Sequence, residues 1–270
     1  MTDTEKTMAV TKERSGSAYN GYTMLLALLA IIAFGAAIFL TPLPYLLGPA
    51  LTLTGLVLSA VSFLMIAIGF FMVQPNQAVV ITLFGEYRGT VRTEGLQWIW
   101  PWMGKKKLSV RAHNIHSDKV KINDLRGNPI EIACNVVWRV ADTAQAVFDV
   151  DDYKEFVNIQ IEAGLRTVGA RHPYDDMSEE DEVTLRGSAD VVNSELIEEL
   201  NDRLKVAGIL VDEAGLTHLA YAPEIAGAML RRQQADAVIA ARKKVVIGAV
   251  SMVEDALGKL SSDGIVELDD

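Results

Sequence analysis

The sequence predicts an α+β protein that begins with an N-terminal two-helix transmembrane hairpin and ends with a coiled-coil-like helix. Three observations carry this: two long charge-free apolar runs before residue 74, a central segment with period-two alternation, and a helical pattern without proline after Pro223. The chain has 270 residues, half of them hydrophobic, which is ample for a buried core. A formal net charge of −10 argues against nucleic acid as a partner. The single cysteine, Cys134, excludes an internal disulfide and fits a reducing compartment.

The apolar runs are TMLLALLAIIAFGAAIFL (23–40) and LTLTGLVLSAVSFLMIAIGFFMV (51–73). A bilayer core takes about 20 apolar residues in a helix, and every backbone group there must be bonded within the segment, so both runs are expected to be spanning helices. The alternatives are a helical hairpin buried in a soluble core and a cleaved signal peptide. The length of the runs weighs against the first, and the close following span against the second. The connector TPLPYLLGPA (41–50) carries no Lys or Arg, whereas Lys6, Lys12 and Arg14 precede the hairpin and Arg88, Arg92 and Lys105–Lys107 follow it. The positive-inside rule therefore predicts a two-span membrane protein with both termini in the cytoplasm. Residues 1–22 read as a cytoplasmic tail and 23–73 as the hairpin.

Residues 74–222 read as a mixed α/β body. QAVVITL (77–83) predicts a strand entered directly from the second span, and GEYRGT (85–90) supplies turn glycines. After the turn-forming DLRGNP (124–129), Ile130, Ile132, Cys134, Val136, Trp138 and Val140 alternate with a second set, the pattern of a strand with one buried face. Cys134 falls on that face and reads as a core residue rather than a nucleophile. Asp151 or Asp152 is expected to cap a helix running to about Ala170, and Ser178 with Asp181 resembles a capping box. Leu185, Ala189, Val192, Leu196, Leu200 and Leu204 then recur at helical spacing, Gly208 stops that helix, and a short strand over 209–219 follows.

Pro223 opens the last element, a helix over 223–261 before an acidic tail at 262–270. Its heptad positions carry Ile225, Met229, Arg232, Asp236, Ile239, Lys243, Val246, Val250, Val253, Leu257 and Leu260. A second stripe, one residue earlier, carries Val238, Arg242, Val245, Ala249, Met252 and Ala256. A two-stranded coiled coil needs one stripe; two stripes about 100° apart suggest a neighbour on each side, as in a ring of parallel helices. The alternative is a helix packed on its own domain.

The order of these features resembles the SPFH superfamily of stomatins, prohibitins, flotillins and bacterial protease-associated proteins. The resemblance runs from VQPNQAVVITLFGEYRGTVRTEGLQWIWPW (73–102) through NPIEIACNVVWRVAD (128–142), FDVDDY (148–153) and GLRTVGARHPYD (164–175). It closes at APEIAGAMLRRQQADAVIAARKKVVIGAVSMVEDAL (222–257). It implies two small mixed α/β SPFH subdomains followed by a coiled-coil helix. It also implies large ring- or cage-like homo- or hetero-oligomers that fence off a patch of membrane, organise microdomains and hold or regulate membrane proteins, including proteases and channels. The two full-length apolar runs depart from the single span or shallow hairpin of many relatives. The final helix is short by family standards, and the tail ending GIVELDD stops where relatives often continue.

Three of the four tryptophans lie in GLQWIWPWMGKKK (95–107). Trp favours the membrane–water boundary, and a Lys near anionic lipid contributes about 1 kcal/mol. Trp98, Ile99, Trp100, Pro101, Trp102 and Met103 are therefore expected to form a loop dipping into the leaflet, with Lys105, Lys106 and Lys107 facing headgroups. The alternative is that the aromatics are ordinary core.

No pattern of catalysis, cofactor binding or metal ligation stands out. His113 and His116, three apart on a strand, point to opposite faces, and GEYRG lacks the Lys-Ser/Thr of a phosphate loop. MSEEDE (177–182), Asp149, Asp151 and Asp152 read as favourable charge at helix starts, and His172 with Asp175 or Asp176 has no third partner. No cofactor, metal or nucleic-acid partner is expected; the expected partners are copies of the chain, the bilayer, and a membrane protease or channel. A membrane-tethered enzyme with an unrecognised site is the other function class.

Overall fold

The protein, seen in a computed structural model, is described over residues 11–40, 48–175 and 183–262. A two-residue strand β1 (Tyr19–Asn20) leads into α1 (Gly21–Leu40). Asn20 caps that helix, its side chain accepting from the Tyr22 amide at 2.9 Å. The second helix, α2 (Pro49–Gly69), starts on a proline, as its missing N–H favours. Both helices are long and apolar enough to cross a bilayer, and almost none of their residues is fully buried within the chain. The connector at 41–47 and the capping box at Ser178 and Asp181 lie outside the described residues.

The apolar run thought to end at residue 73 stops being helical at Gly69. Phe70–Val73 form β2, which pairs antiparallel with β5 (Gly95–Trp98). An unbroken apolar stretch carries no mark of where a span becomes a buried strand, so hairpin and domain meet at 69/70 rather than 73/74. Beside it lies a sheet of order β4-β3-β6, with β3 at Gln77–Leu83, β4 at Glu86–Val91 and β6 at Gly104–Ser109. The GEYRGT segment is thus mostly strand; its turn is the pair Phe84–Gly85, both at positive φ. Phe71, Val73, Val79, Ile81, Val91 and Ile99 form the core of this first subdomain.

The second subdomain is built on β9 (Pro129–Val140), the predicted alternating strand. β10 (Ile209–Tyr221) pairs along its whole length with two bulges, and β7 (His113–His116) and β8 (Val120–Asn123) share its other edge. The buried face of β9, Cys134 included, meets α4 (Tyr153–Arg171) and α5 (Ala189–Leu204) through Val157, Ile161, Leu165, Val192, Leu196 and Leu200. A short helix, α3 (Thr143–Phe148), precedes them, capped by Asp142. Asp152 caps α4 as expected, its carboxylate accepting from the Lys154 and Glu155 amides. Asp149 instead ends α3. Leu185, read as the first residue of the α5 stripe, is buried but precedes the helix. A short 3-10 turn carries the chain to Gly208, whose φ of +64° suits glycine. The 40-residue α6 (Pro223–Ser262) then leaves the domain with no buried residue.

Candidate functional site

The end of the first subdomain that carries both spans is organised around β5. Trp98 pairs with Tyr19 on one side and Phe70 on the other, so this strand lies between the segments that enter α1 and leave α2. Both helices meet it at a glycine. A Cβ on Gly21 would sit 2.5 Å from the Leu96 side chain, and one on Gly69 would sit 2.3 Å from the Trp98 indole nitrogen.

The last carbonyls of a helix lack partners inside it. At α2 the domain supplies them. The Trp98 indole donates to Ile66 O at 2.8 Å, the Ile99 amide donates to Gly69 O at 3.1 Å, and Lys105 Nζ reaches Ile68 O and Gly69 O at 3.3 Å each. A cation here also meets the negative end of the helix dipole. Lys105 lies 5.4 Å from the centre of the Phe71 ring, and burial, then the neighbouring Lys107, pushes its pKa down.

This geometry divides the expected membrane loop. Trp98 is 3 % exposed and Ile99 lies in the first subdomain's core, so neither is open to lipid headgroups. Strand pairing turns them inward, a correction to the expectation that all three tryptophans project. Trp100 and Trp102 remain 43 % and 48 % exposed, their rings stacked at 4.9 Å, on a turn closed by the Met103 amide donating to Trp100 O. Pro101 and Met103 are half-buried in that turn. Lys105, Lys106 and Lys107 lie on β6 and alternate across it, so they form no single basic face.

A second arrangement was not anticipated. Residues 11–18 run back over both subdomains as a strap. Arg14 O accepts from the Thr90 amide and the Gly16 amide donates to Thr90 O, both at 2.8 Å. Glu13 accepts from the Thr143 amide at 2.8 Å and its hydroxyl at 2.9 Å, and from Arg92 through two nitrogens at 2.6 and 2.8 Å. The Glu13 amide donates to Asp142, and Thr11 bonds Asp149. Burial pushes the Glu13 carboxyl up, but the bonds from Arg92 and Thr143 prevail and hold it below the usual carboxylate range. Its partners Arg92 and Thr143 lie 79 and 130 residues away, and a polar KER tripeptide carries no sign of them.

The α6 stripes are open. Val238, Ile239, Val245, Val246, Val250, Met252 and Val253 each expose more than half their surface, with Leu257 and Leu260 also exposed. Arg242, Ala249 and Ala256 are exposed among them. Val238, Ala241, Arg242, Val245 and Val246 line one shallow apolar groove. The root is fixed to its own domain: Glu224 pairs with Lys121, and Gln233 donates to Asp175 at 2.9 Å. His172 turns away from Asp175 to Glu195, 2.5 Å distant. Glu195 also meets Arg171, which bridges on to Glu199 and so ties α4 to α5. Among the described residues no three His, Cys, Asp or Glu side chains gather where they could hold a metal ion. The acidic run at 177–182 lies outside the described residues.

Two apolar helices fixed to a two-subdomain α+β body, with a long exposed helix beyond it, define a membrane-associated protein. A family model described as SPFH domain / Band 7 family matches residues 71–247, well over half of the chain, and the protein belongs to that family. No curated protein matches it by sequence.

Proposed function

We propose that the protein is a membrane-anchored scaffold rather than an enzyme. It assembles with copies of itself into a ring- or cage-like structure that encloses a patch of bilayer and regulates membrane proteins such as a protease or channel. The observation that carries this reading is α6: 40 residues with no buried side chain, whose valine and leucine stripes stand exposed among the described residues. In proteins most of a helix's stability comes from packing its apolar face. Burying one large apolar side chain contributes about 1.5–3 kcal/mol before entropy. Anchoring in a plane raises the effective concentration of neighbours, so modest contacts repeated around a ring suffice. Val238, Ile239, Arg242, Val245, Val246, Ala249, Val250, Met252, Val253, Ala256, Leu257 and Leu260 form the interface in this reading.

The same reading places both termini on the cytoplasmic side. The strap supports it, because the segment before α1 and the domain after α2 are hydrogen-bonded to each other and so share one side of the bilayer. The basic residues flanking the hairpin and the connector without Lys or Arg assign that side to the cytoplasm. Trp100, Trp102 and Met103 then touch the leaflet around the span ends. Single-particle imaging of the full chain in mild detergent tests the proposal. The expected result is a large closed assembly; monomers or dimers in several detergents and in nanodiscs would overturn it.

A further inference from the structure

The turn between β3 and β4 presents an unusual side chain. Phe84 is 92 % exposed and sits at φ +50°, a left-handed conformation that disfavours a bulky residue. With Gly85 at φ +89° it makes a two-residue hairpin turn of the kind that Asn-Gly fills without strain. A Cβ on Gly85 would meet nothing within 4 Å, so the tip stands clear of the rest of the chain. Among the described residues no packing accounts for a phenylalanine there, and the turn itself favours other residues.

The register says where the tip points. β2 leaves the end of α2 at Phe70 and runs to Val73; the chain reverses through a turn closed by the Gln77 amide on Gln74 O, and β3 returns. Near the end of β3, Ile81 pairs with Lys105, whose ammonium bonds the last carbonyls of α2. Thr82 pairs with Gly104, two residues from Trp102. A strand advances about 3.3 Å per residue, so β3 runs about 7 Å past Ile81 to Leu83, and Phe84 turns beyond that, farther along the strand than the pair that meets the helix end. It therefore shares the end of the domain occupied by Trp100 and Trp102, on a separate hairpin.

We propose that Phe84 is a second membrane prong: the β3–β4 tip inserts its ring into the same leaflet as the Trp100–Trp102 turn, so the subdomain rests on lipid at two points beside its spans. The proposal rests on the membrane-contact reading of that turn and extends it to a residue outside it. Glu86, paired with Arg88 at 3.1 Å, lies two residues on and limits the insertion to headgroup depth. Continuity with the span ends selects lipid rather than a second protein copy as the occupant.

The test uses the full chain in liposomes, with single-cysteine probes carrying an environment-sensitive fluorophore at Phe84→Cys, Trp102→Cys and Gln74→Cys. Cys134 is fully buried and stays unlabelled. Gln74 marks the opposite end of β3, which is seven residues or about 20 Å long. Lipids bearing a nitroxide at headgroup level should quench the Phe84 and Trp102 probes and leave the Gln74 probe bright. Quenching at Trp102 without quenching at Phe84 would overturn the second prong and leave the tryptophan turn standing. No quenching at either would overturn both. A Phe84 probe shielded from water but indifferent to the nitroxide would assign the tip to a protein contact and overturn the proposal. Phe84→Asn, suited to the left-handed position, should keep the hydrogen-exchange protection of β3 and β4; its loss would show that Phe84 serves the fold.

Discussion

Removing the Glu13 carboxylate tests whether the strap holds the two subdomains together. In Glu13→Ala the Thr143 amide, on a fully buried residue, loses its acceptor, while the Thr143 hydroxyl keeps Thr90 at 2.8 Å. A buried donor left without a partner costs about 1–3 kcal/mol. Arg92 regains water, since its side chain is 42 % exposed, so its ion pair adds only about 0–1 kcal/mol. A local loss of about 2–3 kcal/mol corresponds to an opening equilibrium about 30- to 150-fold more favourable. Amide hydrogen exchange on the solubilised full chain should show this acceleration at the start of α3 and along 88–92. The core of β9 should be unchanged. Glu13→Gln keeps an oxygen for the Thr143 amide and loses the charge opposite Arg92, so its effect should be near fivefold, or about 1 kcal/mol. Equal protection at Thr143 in the native chain and Glu13→Ala would refute the reasoning and detach the strap from the domain.

The strap should also respond to acid. Because the folded state depresses the Glu13 pKa, its contribution is complete above the ordinary Glu value near 4.3 and is lost as pH falls through the lower folded value; exchange at Thr143 should accelerate only in that acid window. Val250→Asp with Val253→Asp places charge on α6 positions that are more than half exposed, so size-exclusion profiles should lose the large species while membrane insertion persists. Intact particles would contradict the helix seam. Gly69→Val forces a side chain to within 2.3 Å of the Trp98 indole, so Trp98 should lose its bond to Ile66 and become open to acrylamide quenching. Replacing Trp100 and Trp102 together with Ser should weaken lipid contact without unfolding the first subdomain. Replacing Trp98 should destabilise it, by about 3–5 kcal/mol for a large buried aromatic.

What the sequence disclosed followed from periodicity within single elements. The alternation of β9, the Asp152 cap of α4, the α5 stripe from Ala189 onward, the two long apolar helices and the long helix α6 are all local, and each lies where its pattern does. What it hid depended on pairing between distant segments. Trp98, Trp100 and Trp102 look alike in the chain; only the register of β5 between β1 and β2 buries the first and leaves the others open. β2 was concealed because its four residues, FFMV, continue the apolar run of a span. The strap was illegible for the same reason: the partners of Glu13 are brought to it by folding alone. Phe84 carried a faint signal, a phenylalanine before glycine at the end of an apolar run, but its exposure needed the turn geometry to be seen.

The attachment of α6 has a mechanical consequence. At a rise of 1.5 Å per residue its 40 residues extend about 60 Å. Its described side-chain ties to the domain lie at the root, through Glu224 to Lys121 and Gln233 to Asp175. It is therefore a lever. A tilt of only about 5° at the root carries the far end through about 5 Å, close to the pitch of one helical turn. In the proposed assembly, small changes in how the first subdomain sits on lipid would thus be magnified into a shift of about one helical turn between adjoining copies, and its diameter would respond to the thickness and curvature of the bilayer beneath it.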